Sequence, residues 1–249
     1  MNTNPVQEHL VLLLGGTGRT GGRVLKQLLD RGVHVRAIVR SANRLPEGVA
    51  GHPRLTVIEA DVLALSSEEM LEQVRGCDAV ISCLGHTTDL KGIFGAPREL
   101  VAPMVERVCA AAVALEPTEP LKVVLMSSVS VHRSHALDPR RGSAERAFVA
   151  LLRALVPPAK DNQDAADYLL EKVGSSSPFV QWAVVRCDTL VEGDVSKYAL
   201  HESFVSSLAK PDDTSMANVA HFMCDLVTEP QVWGTWKGLL PVIANAAKA

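Results

Sequence analysis

The residue types and spacing of the run Gly15-Gly16-Thr17-Gly18-Arg19-Thr20-Gly21-Gly22 suit it to presenting bare backbone amides to a phosphate. Gly15 permits a tight turn, Gly18 lets the backbone come close to a pyrophosphate, and Gly21 allows a helix to pack tightly on a strand. A helix start carries about half a positive elementary charge, so a doubly anionic pyrophosphate is held there without an obligatory lysine. Thr17, Arg19 and Thr20 join the glycines as candidate dinucleotide contacts.

The flanking elements give the loop its context. The apolar run Leu10–Leu14 reads as a strand entering it. The stretch Arg23–Arg31 reads as a helix leaving it, with Val24, Leu25, Leu28 and Leu29 as its buried stripe. Further strand-like runs follow at 33–39, 55–58, 79–83, 122–126, 179–185 and 239–243, with helical patterns between them. Ser66-Ser67-Glu68-Glu69 starts one helix with hydroxyl caps and acids at its positive end. A longer apolar helix spans 97–115. This alternation predicts an α/β fold, a doubly wound parallel sheet of the NAD(P)-binding Rossmann kind, as a single domain over residues 1–249 with a small C-terminal substrate-side portion.

The segment 132–160 fits the alternation poorly and reads as an insertion, with an Arg-rich loop (Arg133, Arg140, Arg141) and a helix at 143–156 stopped by Pro157-Pro158. Phe148, Leu151, Leu152 and Leu155 share one face of that helix, which either packs on the core or roofs the site. Together with 190–211 this segment is the expected substrate side. There Tyr198, His201 and Phe204 form either an apolar wall or part of the core.

A net charge of −3 over 249 residues, spread in both signs, points away from nucleic acid and anionic membranes and toward small-molecule partners. No apolar stretch is long enough for a bilayer of about 30 Å, and the polar start at 1–9 lacks the apolar region of a signal peptide, so a soluble, cytoplasmic protein is expected. The five scattered cysteines read as reduced core thiols. The pair His132 and His135 has no third ligand, so no metal is expected.

At the end of the second strand an NAD-selective fold places an acid for the ribose hydroxyls, whereas this chain has Arg40, followed by Ser41-Ala42-Asn43-Arg44. Guanidinium forks at Arg40 and Arg44 suit a 2′-phosphate, so NADPH is expected over NADH.

With these motifs, and with Ala60-Asp61-Val62, Gly76-Cys77-Asp78-Ala79-Val80-Ile81-Ser82, Ser127-Ser128-Val129-Ser130-Val131 and Trp182-Ala183-Val184-Val185-Arg186, the chain resembles the atypical short-chain dehydrogenase/reductase family. Within it the likeness is to the NmrA-like, NAD(P)H-binding branch that includes flavin and biliverdin reductases. The resemblance implies that Asp61 and Val62 bracket the adenine, that Cys83, Leu84 and Gly85 line the cofactor, and that Ser127 lies near the nicotinamide ribose. Read from the residues alone, Asp61 is equally a turn cap, and Cys83 and Leu84 are equally core.

The wider family protonates its substrate with a Tyr-x-x-x-Lys pair and a serine. Ser128 matches the serine, but Ala159 and Gln163 stand where the tyrosine and lysine belong. The literal pair Tyr168 and Lys172 reads as a packed aromatic beside a solvated lysine, too far along the helix to serve. Ser128 and His132 are therefore the candidate catalytic groups, with a weaker claim for His86. The expected function is an NADPH-dependent oxidoreductase passing hydride to a conjugated small molecule such as a flavin or quinone, whose reduction needs little help with protons. The alternative is a non-catalytic, NmrA-like NAD(P)-sensing regulator.

Overall fold

The computed structural model describes residues 9–86, 95–133, 138, 142–207 and 210–246. His135, Arg140 and Arg141, and the first eight residues, lie outside that set. Eight strands form one sheet: β1 (Leu10–Leu14), β2 (His34–Val39), β3 (Leu55–Glu59), β4 (Ala79–Ser82), β5 (Leu121–Ser128), β6 (Val180–Cys187), β8 (Tyr198–His201) and β10 (Val242–Asn245). A separate two-stranded ribbon pairs β7 (Thr189–Val191) with β9 (Asp213–Ser215). The sheet runs in the order β3-β2-β1-β4-β5-β6-β10-β8. All its pairings are parallel except that of β10 with the edge strand β8. The strand order reverses between β1 and β4, and the crevice beyond their carboxyl ends is where an open α/β sheet receives ligands.

The strands are nearly continuous apolar runs because both faces are covered. On one face α1 (Arg19–Asp30) packs with α6 (Met216–Thr228), burying Val24, Leu25 and Leu28 against Val219, Phe222 and Met223. On the other, α2 (Ser67–Val74) and α3 (Val101–Leu115) bury Met70, Val105 and Val108 with Ala165 from α5 (Pro157–Asp167) and Leu169 just beyond it. The expected cap on α2 is a full capping box: Ser66 Oγ accepts from Glu69 N at 3.1 Å, and Glu69 accepts from Ser66 N at 2.7 Å.

Helix α1 starts at Arg19, four residues earlier than the apolar stripe suggested, because Gly18 takes the extended N-cap conformation (φ −78°, ψ 169°). The apolar helix at 97–115 begins later, at Val101. Helix α4 (Ser143–Leu155) corrects a packing expectation: Phe148, Leu151 and Leu155 are exposed, and Val149 is its buried residue. The cause lies one element on. Pro157 and Pro158 end α4 and also open α5, which takes the place against α3 through Ala165 and Ala166.

The loop that enters α1 is the tightest part of the fold. Gly15 has φ +81°, and a Cβ there would lie 2.6 Å from the carbonyl oxygen of Cys83. A Cβ on Gly21 would lie 2.1 Å from the carbonyl oxygen of Gly15. Gly21→Ala should therefore cost about 3 kcal/mol or more, since the atoms it would strike are backbone that has nowhere to move. Urea denaturation of the variant checks this, with Gly48→Ala, whose positive φ is strained but whose surroundings are open, as the comparison.

Candidate functional site

A cavity of about 500 Å³ opens at the carboxyl ends of β1, β2 and β4, within the roughly 300–1,000 Å³ usual for small-molecule sites. Its wall includes Gly15, Thr17 and Gly18 from the loop, Arg40 and Arg44 beyond β2, Asp61 and Val62 beyond β3, and Cys83, Leu84 and Gly85 beyond β4. The structure thus brings together most of the cofactor residues expected from sequence. Gly21 and the buried Thr20 lie behind the wall, inside α1. Arg19 is turned outward, where its guanidinium meets Glu192 at 3.0 Å, with Arg23 on the same carboxylate.

The amino end of α1 suits an anion. Its N-cap Gly18 offers no side-chain cap, no acid sits in its first turn, and Gly18 N is tied back to Gly15 O at 2.9 Å. The Arg40–Arg44 turn is held by Glu59, whose Oε2 accepts from Ala42 N at 2.7 Å, and among the described residues no carboxylate pairs with either guanidinium. Asp61 accepts from Leu63 N at 3.1 Å, so the turn-cap role exists alongside its place on the wall. Arg107 on α3 fixes the same loop from below, donating to the carbonyls of Val62 (3.1 Å), Leu63 and Ser66. Sequence reading missed Arg107, although a lone guanidinium within the apolar 101–115 helix was its signal. Burial pushes the Cys83 thiol far up, with the neighbouring thiols of Cys224 and Cys187 adding to the shift, so it lines the cavity as an apolar group. Cys187 and Cys224 are pushed up to about 12, again by burial.

The expected catalytic pair sits elsewhere. Ser128 Oγ is 2.5 Å from Ser130 Oγ, and His132 is buried edge-on against Phe204 at 5.4 Å; neither is on the cavity wall. Gln163 clamps His132 by its main chain, accepting from His132 N at 2.9 Å and donating to His132 O at 3.1 Å. Ser127 is buried, its Oγ has no hydrogen-bond partner among the described residues, and it is not on the cavity wall. Tyr168 is partly buried in the second core layer with Lys172 exposed. Their segment, Tyr168–Val173, is π-helical, so the i, i+4 face of an α-helix does not apply. Phe204 packs on the buried guanidinium of Arg186 at 4.4 Å, and Tyr198 bonds His221 Nδ1 at 3.1 Å, so both are core rather than cavity wall.

One wall residue gained weight from the structure. His86 lies on the cavity with its Nε2 2.8 Å from Asp161 Oδ2, and both side chains are almost wholly buried. Asp161 also accepts from the backbone N–H groups of Leu100 (2.9 Å), Val101 (2.8 Å) and Ala102 (2.9 Å), capping α3 from another helix. The N-cap of α3, Leu100, has no polar side chain to cap the helix with, and that apolar residue was the sequence signal for such a partner.

The 15–230 stretch matches the model of the NAD(P)H-binding family, well over half of the chain. The chain belongs to that family. A chloroplastic uncharacterised protein of Arabidopsis thaliana is 37% identical over 84 residues, 33% of this chain and 29% of that relative's length. Among solved structures, a Rossmann-fold NAD(P)-binding protein from Shigella flexneri shares 19% identity over 97% of this chain and 95% of its own, with a TM-score of 0.66. ChuY, an anaerobillin reductase from Escherichia coli O157:H7, shares 16% over 96% of this chain and 98% of its own, at 0.65. Among the described residues no helix is long and apolar enough to cross a membrane.

Burial alone would raise the Asp161 carboxyl, but the N–H groups of Val101 and Ala102, the His86 ring and the Leu100 N–H together bring it below the ordinary range. A lowered folded pKa means its contribution is whole at neutral pH and is lost as the pH falls through that value. Asp161→Asn should lose about 3 kcal/mol at pH 7 in urea denaturation, and the gap from the native protein should begin to narrow only as the pH falls below the ordinary carboxylate range.

Proposed function

We propose that this NAD(P)H-binding protein is an NADPH-dependent oxidoreductase that passes hydride to a conjugated small molecule such as a flavin or quinone. The observation that carries the cofactor preference is the pair of guanidinium groups, Arg40 and Arg44, on the cavity wall beyond β2. A 2′-phosphate there gains charge-assisted hydrogen bonds that a bare ribose cannot make. Bound, the dinucleotide would supply hydride; its pyrophosphate would rest on the amides of residues 15–18 and the start of α1, and its adenine beside Asp61 and Val62. The name of ChuY adds support for reduction as the reaction.

The proposed chemistry asks little of a tyrosine. A conjugated acceptor delocalises the incoming charge, so positioning supplies most of the rate. Gln163, standing where the wider family has lysine, is engaged by His132 and by Asp167 at 2.7 Å. That engagement also favours the second reading, a sensor that binds dinucleotide without turning it over.

Calorimetric titration should show NADPH binding at least tenfold more tightly than NADH, and Arg40→Ser with Arg44→Ser should erase that difference. Equal affinities in the native protein would overturn the preference. Following NADPH absorbance against flavins, quinones and dicarbonyls decides the activity: oxidation with one of them supports the enzyme, and binding without any oxidation supports the sensor.

A further inference from the structure

Hydride transfer to a conjugated acceptor leaves a delocalised negative charge, and a positioned acid on the protein that protonates it adds to the rate that positioning supplies. Ser128 and His132 lie off the cavity wall, whereas His86 is on it. His86 follows β4 closely, at the carboxyl end of the strand beside β1, the place where the strand order reverses. Its orientation is fixed by chemistry rather than by packing alone. Asp161 Oδ2 already receives two backbone N–H groups and Oδ1 a third, so the carboxylate is a pure acceptor. The ring must then donate through Nε2–H, at 2.8 Å. Nδ1 is left as the ring position that gains and loses a proton, and among the described residues it has no partner.

We propose that His86 is the proton donor of the reaction and that Asp161 is its positioning residue, a pair that takes over the role of the absent tyrosine and lysine. The inference rests on the oxidoreductase reading. A bound reduced dinucleotide would supply the two electrons as hydride; a π bond of the acceptor would open, and its electron pair would settle on a conjugated nitrogen or oxygen. The Nδ1–H bond of the His86 imidazolium breaks, its proton bonds to that atom, and the ring remains neutral with Nε2–H still on Asp161. Solvent returns the proton to Nδ1 before the next cycle. Other charges on the surrounding elements are the Lys160–Asp164 pair on α5, Glu99 before α3, and Asp61, Arg40 and Arg44 around the cavity.

The test combines a spectroscopic measurement on the protein, free and with NADPH bound, with kinetics. Nitrogen-15 NMR of the imidazole should show the Nε2–H tautomer at alkaline pH, and the protonation midpoint it gives for His86 in the NADPH-bound protein should coincide with the alkaline limb of acceptor reduction. His86→Gln, which keeps a donor for Asp161, should lower turnover about a hundredfold and remove that limb. An Nδ1–H tautomer, a midpoint that misses the limb, or a folded His86→Gln with native turnover and limb would each overturn the role. Should the variant not fold, the first two readouts on native protein still decide. Native protein that binds dinucleotide yet reduces no acceptor takes down the proposed function and this role together. Active native protein with an indifferent His86→Gln takes down this role alone.

Discussion

Everything at the site depends on one backbone crossing. The turn at Gly15 passes over the end of β4 so closely that a Cβ there would sit 2.6 Å from Cys83 O, and Gly21 brings the first turn of α1 down onto the same turn. Three polypeptide segments meet there, backbone against backbone at Gly15, with the Cβ of Cys83 beside Gly21. That closeness delivers the amino end of α1, uncapped and free of acids, to the mouth of the cavity. A single methyl group in the crossing would lift the helix away from the strand and spoil the direction of its amides. The anion site is therefore a property of the backbone path, and side chains enter only at its rim.

At the rim the charged groups divide into those committed to structure and those left for a ligand. Arg107 donates to loop carbonyls, Arg36 donates to the carbonyl of Gln73 at the end of α2, and Arg19 and Arg23 share Glu192. Arg186, wholly buried, is neutralised by Asp138 at 2.8 Å and donates to the carbonyls of Leu240 and Glu202, so it ties β6 to the chain at those three points. Burial alone would raise the Asp138 carboxyl, but Arg133 and Arg186 hold it below the ordinary range. Such a buried pair does little for net stability and much for geometry, because either charge left alone would be costly. Arg40 and Arg44 are the exceptions among these cations, since among the described residues their guanidinium groups meet neither a carboxylate nor a carbonyl.

The parts of this protein legible in sequence are those set by local rules. Strand β1 fell on its residues, and the glycine spacing named the tight turn that enters α1, because apolar periodicity and the steric freedom of glycine act within a few positions. The Ser66–Glu69 cap was legible for the same reason. What escaped depends on long-range partners. The face of Phe148, Leu151 and Leu155 has the period of a core helix, yet α5 outcompetes it for α3, and no local signal ranks two neighbouring helices. Short strands β7, β8 and β9 have little pattern of their own and exist through pairing with distant segments. Ser128 and His132 were placed by family position, but Gln163 and Phe204 hold His132 in the core.

Helix α5 shows how one element carries both roles. From this stretch Asp161 and Gln163 face inward and are buried. Asp161 reaches across to the unpaired amides that open α3, and Gln163 to the main chain beyond β5. Both contacts satisfy backbone groups that would otherwise be buried without partners, which is reason enough for the residues to be polar. Asp161 has capacity left after that duty, and the His86 ring occupies it. A carboxylate recruited to cap a helix thereby also fixes which nitrogen of a cavity histidine can exchange protons, so the fold's own hydrogen-bond requirements determine the chemistry available on the wall.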